Sequence, residues 1–315
     1  MQQQPAIRIG ISKCLLGEEV RFDGGHKRDP YVMEILGRFF TWIPVCPEVE
    51  IGLGTPRESI QLVETEEGIR LRGTRSKNDV TERMQDYAGK KVRELGHAAL
   101  HGFIFKKDSP SCGMQRVRIY NEEGNVKGKG TGMFADVMIR QNPLLPAEEE
   151  GRLNDLAIRE NFVERVFSYY RWTEFLKDSP KPSKLVEFHT RHKLTLLSHS
   201  TEIYRALGQI VSRAGTMDVY SDYGKTFMSA LQLKATARKH SNCLYHLLGY
   251  LKKSITPDDK NELVECIEQY RKERLPLIVP VTLLMHHFRR HPQPWVVKQT
   301  YLNPYPAELM LRNHV

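Results

Sequence analysis

The sequence predicts an α/β domain with a largely parallel sheet over residues 1–147, followed by an all-α domain over residues 148–315. Three observations carry this division. Short β-branched runs alternate with helical patterns in the first half. A Pro- and Glu-rich stretch, PLLPAEEEGR at 143–152, interrupts the alternation, and beyond it helical periodicity takes over. The length of 315 residues fits two domains and buries a sizeable core without disulfides or metals to hold it.

The elements follow in order. IRIGIS (7–12) reads as a buried first strand, followed by the turn Asp23-Gly24-Gly25 and a short helix near 30–38. TWIPV (41–45) is a second strand, stopped by Pro47. SIQLV and GIRLRG, separated by ETEE, form a hairpin. Asn78 or Asp79 caps a helix over 79–99, and GFIF (102–105) is a third buried strand. VRIYNEEGNVKGKG is a second hairpin or a loop, and GTGMFADVMIRQN opens with glycines and becomes helical. The alternation is Rossmann-like. In such sheets chemistry gathers beyond the C-terminal strand ends, where Cys14, Cys46 and Cys112 each close a strand-and-turn stretch. The second half holds helices over 153–180, 183–214, 216–253 (broken near Gly224) and 258–273, with a shorter one near 280–290. The Pro- and aromatic-rich tail, HPQPWVVKQTYLNPYPAELMLRN, packs across them as an extended strap.

At 40% hydrophobic and 27% charged, the composition is that of a soluble globular protein. MQQQPAIRIG lacks a basic region leading into an apolar run, and no stretch of about 18 apolar residues exists, so a cytoplasmic protein without a membrane span is expected. Five cysteines are too few and odd in number for a disulfide framework; in a reducing compartment clustered thiols point to metal or catalysis. The net charge of +9 is unevenly placed. Residues 1–150 hold 22 Lys/Arg against 22 Asp/Glu, whereas residues 151–315 hold 25 against 16 and nine of the twelve histidines. The basic second half points to an anionic partner such as nucleic acid, against the plainer reading of a solvated basic surface.

Thiolates suit zinc, copper(I) and iron–sulfur clusters, and zinc sites usually show paired Cys-x-x-Cys spacing, which this chain lacks. Three well-separated cysteines, Cys14, Cys46 and Cys112, suit a 4Fe–4S cluster with one iron left free to take a soft ligand. The plainer alternative is three buried thiols acting as small apolar groups. Cys243 and Cys266 fall within helical patterns and read as core residues. Glu48, two residues after Cys46, is placed to move protons, with Glu50 as its competitor; Ser109 and Ser111 flank Pro110 just before Cys112 and can orient a substrate.

The segments SKCLLGEEVRFDGGHKRD, PVCPEVEIGLGTPRESI, KKDSPSCG and GKGTGMFA resemble the thiouracil desulfidase (TudS) family over residues ~7–145. LVEFHTRHKLTLLSHS, KHSNCLYHLLGYLKK, RLPLIVPVTLLMHHFRR and QTYLNPYPAELMLRN resemble the helical YbgA domain. The two-domain arrangement is similar to YbgA-type proteins, and this implies removal of sulfur from 4-thiouridine in transfer RNA. The resemblance implies Cys14, Cys46 and Cys112 as ligands of a 4Fe–4S cluster, Glu48 as acid/base and Ser109 as assisting serine. The implied reaction is a hydrolysis without electron transfer: the thiocarbonyl sulfur meets the open iron, Glu48 activates water at the carbon, and sulfide leaves.

The resemblance carries no residue-level RNA contacts. Basic patches supply the candidates: Arg191/Lys193, Lys234/Arg238/Lys239, Lys252/Lys253 and Arg289/Arg290, with Lys234, Arg238 and Tyr245 near one helical face. His189, His192, His240, His246, His286 and His287 read as core or phosphate-facing groups in preference to a second metal site. Two other functions compete: a desulfidase of free thiouracil or thionucleosides, and a nucleic-acid-binding protein with a structural or redox-sensing cluster. The sequence names no protein partner.

Overall fold

The first strand, β1 (Ile7–Ser12), is buried on both faces at Ile9, Gly10 and Ile11, as a consecutive apolar run requires in the middle of a parallel sheet. The computed structural model describes residues 7–177, 180–213 and 219–314. β1 pairs in parallel with β2 (Phe40–Val45), ahead of which lie a π-helical turn (Tyr31–Ile35) and a 3₁₀ turn (Leu36–Arg38). A single helical turn, α1 (Pro47–Glu50), follows β2. The hairpin β3 (Ile60–Thr65) and β4 (Gly68–Gly73) leads into α2 (Thr81–His97). The helix starts two residues later than expected, with Val80 and not Asn78 or Asp79 as its cap, although Asp79 just before it accepts the Thr81 N–H (2.9 Å).

β5 (Gly102–Phe105) returns beside β1, and the hairpin β6 (Val117–Tyr120) and β7 (Val126–Gly130) precedes α3 (Met133–Gln141) and β8 (Ala147–Glu149). The order β2-β1-β5-β8 is parallel throughout. The hairpins do not join it; they make a second, mixed sheet, β4-β3-β6-β7, in which β3 and β6 run parallel. α2 buries Met84, Ala88, Val92 and Leu95, at helical spacing, in one core with Leu62 and Leu71 of the second sheet and Phe103, Phe105 and Phe134. Gly10 is required there: a Cβ would lie 2.3 Å from the Phe103 ring.

The chain divides into two compact units, Met1–Ile158 and Arg159–Val315. The expected boundary at 147/148 falls inside β8. The second unit is helical: α4 (Leu156–Lys177) enters it, followed by α5 (Pro182–Arg191), α6 (Lys193–His199), α7 (Thr201–Ser212), α8 (Val219–Gln232), α9 (Ala237–Leu251), α10 (Pro257–Arg271), α11 (Ile278–Arg290) and the short α12 (Pro294–Val297). Residues 178–179, 214 and 216–218 of the expected helices lie outside the described residues. Among the described residues no helix is long and apolar enough to cross a membrane.

Three expectations for this unit need correction. The single helix over 183–214 is broken at His192 and Ser200, where the Ser200 side chain caps α7 by accepting from Ile203 N (3.2 Å). The break expected at Gly224 lies instead between Gln232 and Ala237, with Thr236 capping α9. Gly224 continues α8 because the Trp172 indole would stand 2.6 Å from its Cβ, so the glycine serves close packing. The tail is not extended but folds into short turns: α12, Thr300–Leu302 and Ala307–Leu309. It does bury against the helices: Tyr301 donates to or accepts from His240 Nδ1 (2.9 Å), and Arg312 bonds Tyr301 O (2.7 Å) and meets Glu160 (3.4 Å).

Cys243 is buried with its thiol toward Leu194 O (3.4 Å), in a core with Leu244, Leu247, Leu251, Leu263 and Ile267. His189, His192 and His240 are buried too, and burial pushes them down to about 4, 3 and 3, so they are neutral core groups and not phosphate partners. The unfolded chain protonates such groups near 6.5, so between pH 6.5 and 3 it binds more protons than the folded one. The associated stability is complete above pH 6.5 and is lost as pH falls, by about 2 kcal/mol per fully buried histidine at pH 5. Amide exchange in α5, α6 and α9 is therefore expected to accelerate from pH 7 to pH 5 after correction for intrinsic exchange rates. Unchanged protection would contradict neutral, buried histidines.

Candidate thiol-lined active site

β1 and β2 end side by side, with Ser12 opposite Val45, so the residues that follow leave from one sheet edge. Cys14 lies in a 3₁₀ turn (Lys13–Leu16), and its carbonyl accepts from Gly17 N (3.3 Å) and Lys27 N (2.9 Å), which ties the glycine-rich loop to the turn. Cys46 is the residue before α1, with its N–H donated to Glu50 Oε1 (3.0 Å).

Cys112 departs from the expected pattern. β5 ends at Phe105, and a loop intervenes before the cysteine. Lys106 N–H to Ser12 Oγ (2.9 Å) ties the start of that loop to the end of β1. Its far end is gripped by the start of α3: Phe134 N and Ala135 N donate to Ser111 O (3.0 and 3.1 Å), and Gly132 N to Gly113 O (2.7 Å). A Cβ on Gly132 would stand 2.6 Å from the Ser111 carbonyl carbon, and one on Gly113 would stand 2.4 Å from Val117. These contacts give Gly113 of SPSCG and Gly132, the last residue of GKGTG, a reason: their surroundings approach too closely for a side chain.

The three thiols line one cavity of about 460 Å³, together with Glu48, Ser109, Ser111 and Arg57 and a rim that includes Lys13, Arg21, Lys27, Lys106 and Lys107. Glu48 is braced on both oxygens. Oε2 takes Arg57 Nη2 (2.5 Å) and Nε (3.2 Å), while Oε1 takes Ser111 Oγ (2.7 Å) and Ser109 Oγ (3.3 Å). Arg57 is itself held by Gly54 O (2.8 Å) and Val20 O (3.0 Å) and is only 5% exposed. Ser111 is therefore the nearer hydroxyl to the carboxylate. Ser109 is drawn largely to backbone, accepting from Cys112 N (3.1 Å) and Ser111 N (3.3 Å).

Glu50, the competing carboxylate, is turned to α2. Burial alone would raise its pKa, but Lys91 (2.9 Å), the Cys46 N–H and Tyr87 hold it below the usual range, as a brace and not a cavity group. Burial pushes the Cys14 thiol up to about 11, raises Cys46, and raises Cys112 further still. Burial favours the protonated form of these bare thiols, and their thiolates would need positive charge beside them. Among the described residues no group of three or more His, Cys, Asp or Glu side chains is arranged around a single metal ion. Three soft donors around one open cavity do fit a bulkier cluster with a position free of protein ligands.

The basic residues of the helical unit divide. Arg191 ends α5 and Lys193 begins α6; Lys252 and Lys253 follow α9 and are exposed. Lys234 lies before the Thr236 cap, so it does not share a helix face with Arg238 and Tyr245. The Lys239 ammonium is held by His199 O (2.6 Å) and Lys234 O (3.1 Å), and Tyr245 Oη by Glu268 (2.6 Å). Arg57 is the site residue that sequence reasoning passed over; it stands in the quoted GTPR, but nothing local marks it as the partner of Glu48.

An α/β unit with thiols and a braced carboxylate at the C-terminal ends of parallel strands is built as a catalytic unit. The 2-thiouracil desulfurase family matches residues 9–150, and a second family, described as a protein of unknown function (DUF1722), matches residues 193–306. The uncharacterized protein YbbK of Bacillus subtilis (strain 168) is 32% identical over 157 residues, which cover 47% of this chain and 99% of that protein. The uncharacterized protein YbgA of Escherichia coli (strain K12) is 28% identical over 153 residues, covering 47% of this chain and 90% of that protein. A solved structure of the [4Fe-4S]-dependent thiouracil desulfidase TudS is 29% identical, covers 49% of this chain and 97% of its own, and has a TM-score of 0.39. The chain belongs, through its N-terminal half, to the 2-thiouracil desulfurase family and has the two-domain YbgA-type architecture. It is an enzyme of carbon–sulfur bond cleavage.

The grip of α3 on the Cys112 loop is open to measurement. Gly132→Ala is expected to cost about 1–3 kcal/mol in chemical denaturation, because the Ser111–Cys112 backbone must move. Gly128→Ala, where a Cβ meets open space, is the control and stays within about 0.5 kcal/mol of the parent. Equal effects at both positions would dismiss the close approach as the reason for Gly132.

Proposed function

We propose that the protein desulfurises 4-thiouridine in transfer RNA, replacing the thiocarbonyl sulfur by oxygen with release of sulfide. The observation that carries the reaction type is the single cavity that collects Cys14, Cys46 and Cys112 with a carboxylate held by Arg57, Ser109 and Ser111. Cys14, Cys46 and Cys112 hold a 4Fe–4S cluster in this reading. When bound, the cluster supplies a Lewis acid with one iron free of protein ligands, suited to a soft sulfur atom.

The protein's own groups do the rest. Glu48 accepts a proton from a water molecule that adds to the thiocarbonyl carbon, and returns it as sulfide leaves. The balance is one water consumed and one hydrogen sulfide formed, with no electron transferred. Arg57 keeps the carboxylate oriented and compensates its charge in a largely enclosed site. Ser111 and Ser109 fix the other carboxylate oxygen and set the approach of the substrate.

The RNA part rests on charge: residues 151–315 carry the entire basic excess, and Arg191, Lys252 and Lys253 are exposed on the helical unit. A base stacked within folded RNA has to be exposed first, at a cost of a few kcal/mol that phosphate contacts offset. The second reading is a desulfidase of free thiouracil or a thionucleoside, favoured by the description of the matching family.

Glu48→Ala is expected to lower turnover about 10²- to 10⁴-fold while anaerobic iron and sulfide content per chain stays at the parent level. Full activity in that variant would sink the proton-transfer role. Turnover of thiolated transfer RNA, followed by loss of its near-ultraviolet thiocarbonyl band, should fall steeply between about 50 and 200 mM salt. Turnover of free 2-thiouracil should barely change. Preference for the free base at every salt concentration would select the second reading.

A further inference from the structure

The end of α9 carries a ring that the thiol-lined cavity does not use. Tyr250, 43% exposed, stacks on Trp295 of α12 with ring centroids 5.0 Å apart and planes 21° from parallel. Lys193 Nζ lies 5.5 Å from the Trp295 centroid and 6.0 Å from that of Tyr204 on α7, within cation–π reach of both. Tyr204 stacks in turn on His189 of α5, at 5.1 Å and 4°. Five helices thus assemble one row of rings with an ammonium inside it, and Tyr250 is its exposed end.

The surroundings are cationic. Lys252 and Lys253 come after the buried Leu251 that follows Tyr250, and both are exposed. Arg191 lies two residues before Lys193 and Lys298 three residues after Trp295, and both are exposed. Glu187 is the neighbouring acid and is paired with Lys184 (3.1 Å). Among the described residues none of Arg191, Lys252, Lys253 and Lys298 has a carboxylate within 4.0 Å. Rings interleaved with unpaired cations suit a planar, anionic chain better than an apolar protein surface, because each base offers a π-face and each linkage a phosphate.

We propose that the Tyr250–Trp295 stack is a platform for an unpaired base of an RNA strand, with Arg191, Lys252, Lys253 and Lys298 holding flanking phosphates. This rests on the RNA reading of the proposed function and gives it a location in the helical unit. Stacking and phosphate contacts separate experimentally, since only the second releases counterions.

The test is binding of full-length protein to an oligouridylate and to unmodified transfer RNA by fluorescence anisotropy across a salt series. Tyr250→Ala is expected to weaken oligouridylate binding about 5- to 100-fold without changing the salt slope, and Tyr250→Phe to restore it. The paired Lys252→Ala, Lys253→Ala variant is expected to flatten the slope by about 1 to 2. Turnover of free 2-thiouracil is expected to be the same in Tyr250→Ala as in the parent. Parent-level oligouridylate affinity in Tyr250→Ala, or a change confined to the salt slope, would overturn the platform. If Tyr250→Ala weakens RNA binding but thiolated transfer RNA is not turned over by the parent, the platform stands and the substrate assignment falls. If the parent turns over thiolated transfer RNA and Tyr250→Ala binds and turns over as the parent does, the assignment stands and the platform falls.

Discussion

The Glu48 carboxylate ties the N-terminal unit's loops together. Arg57 reaches one of its oxygens from the approach to β3, while Ser109 and Ser111 reach the other from the loop after β5. Arg57 also binds Val20 O in the loop that follows Cys14. The Glu48–Arg57 pair therefore links the three segments that present Cys14, Cys46 and Cys112. Because Arg57 and Glu48 are both largely enclosed, removing either leaves the other without its counter-charge. The proposed proton carrier is thus one half of the ion pair that links these loops.

The same economy governs the backbone. The Cys112 loop has no regular secondary structure of its own, and α3 holds it by donating its first N–H groups to Ser111 O. That contact tolerates only glycine at positions 113 and 132, where chains meet at distances no Cβ allows. Burial then raises all three thiols, which leaves them protonated unless positive charge stands beside them. In the helical unit polar groups play the opposite part. Arg312, Glu160, Tyr301 and His240 are satisfied internally and lock the tail to the helices.

Much of this was legible along the chain because it is local. The buried strand IRIGIS, the Cys-Pro-Glu turn and the serines before Cys112 are contiguous, and their chemistry shows in short windows. The choice between Glu48 and Glu50 was not legible. Both are near Cys46 in sequence, and Lys91 on α2 is what draws Glu50 away. Arg57 was invisible as a partner because its pairing depends on the path of the chain between α1 and β3. Gly224 misled for a related reason: a glycine marks a helix break or a close neighbour, and only Trp172 decides which. Lys239 looked like part of a basic patch, yet its ammonium holds backbone carbonyls.

The sequence by itself determined the two-unit organisation, the alternation of strands and helices, the thiol and carboxylate inventory and the uneven charge, because each follows from residue type and short-range spacing. The tertiary structure decided that the hairpins form a sheet of their own, that Cys112 is delivered by a gripped loop and not a strand end, and that Glu48 is the braced carboxylate. It alone brought Tyr204, Lys193, Trp295 and Tyr250 into one row. The physical reason is the same in each case: these outcomes depend on contacts between residues far apart in the chain, whose geometry is set by packing and by the close approach of backbones.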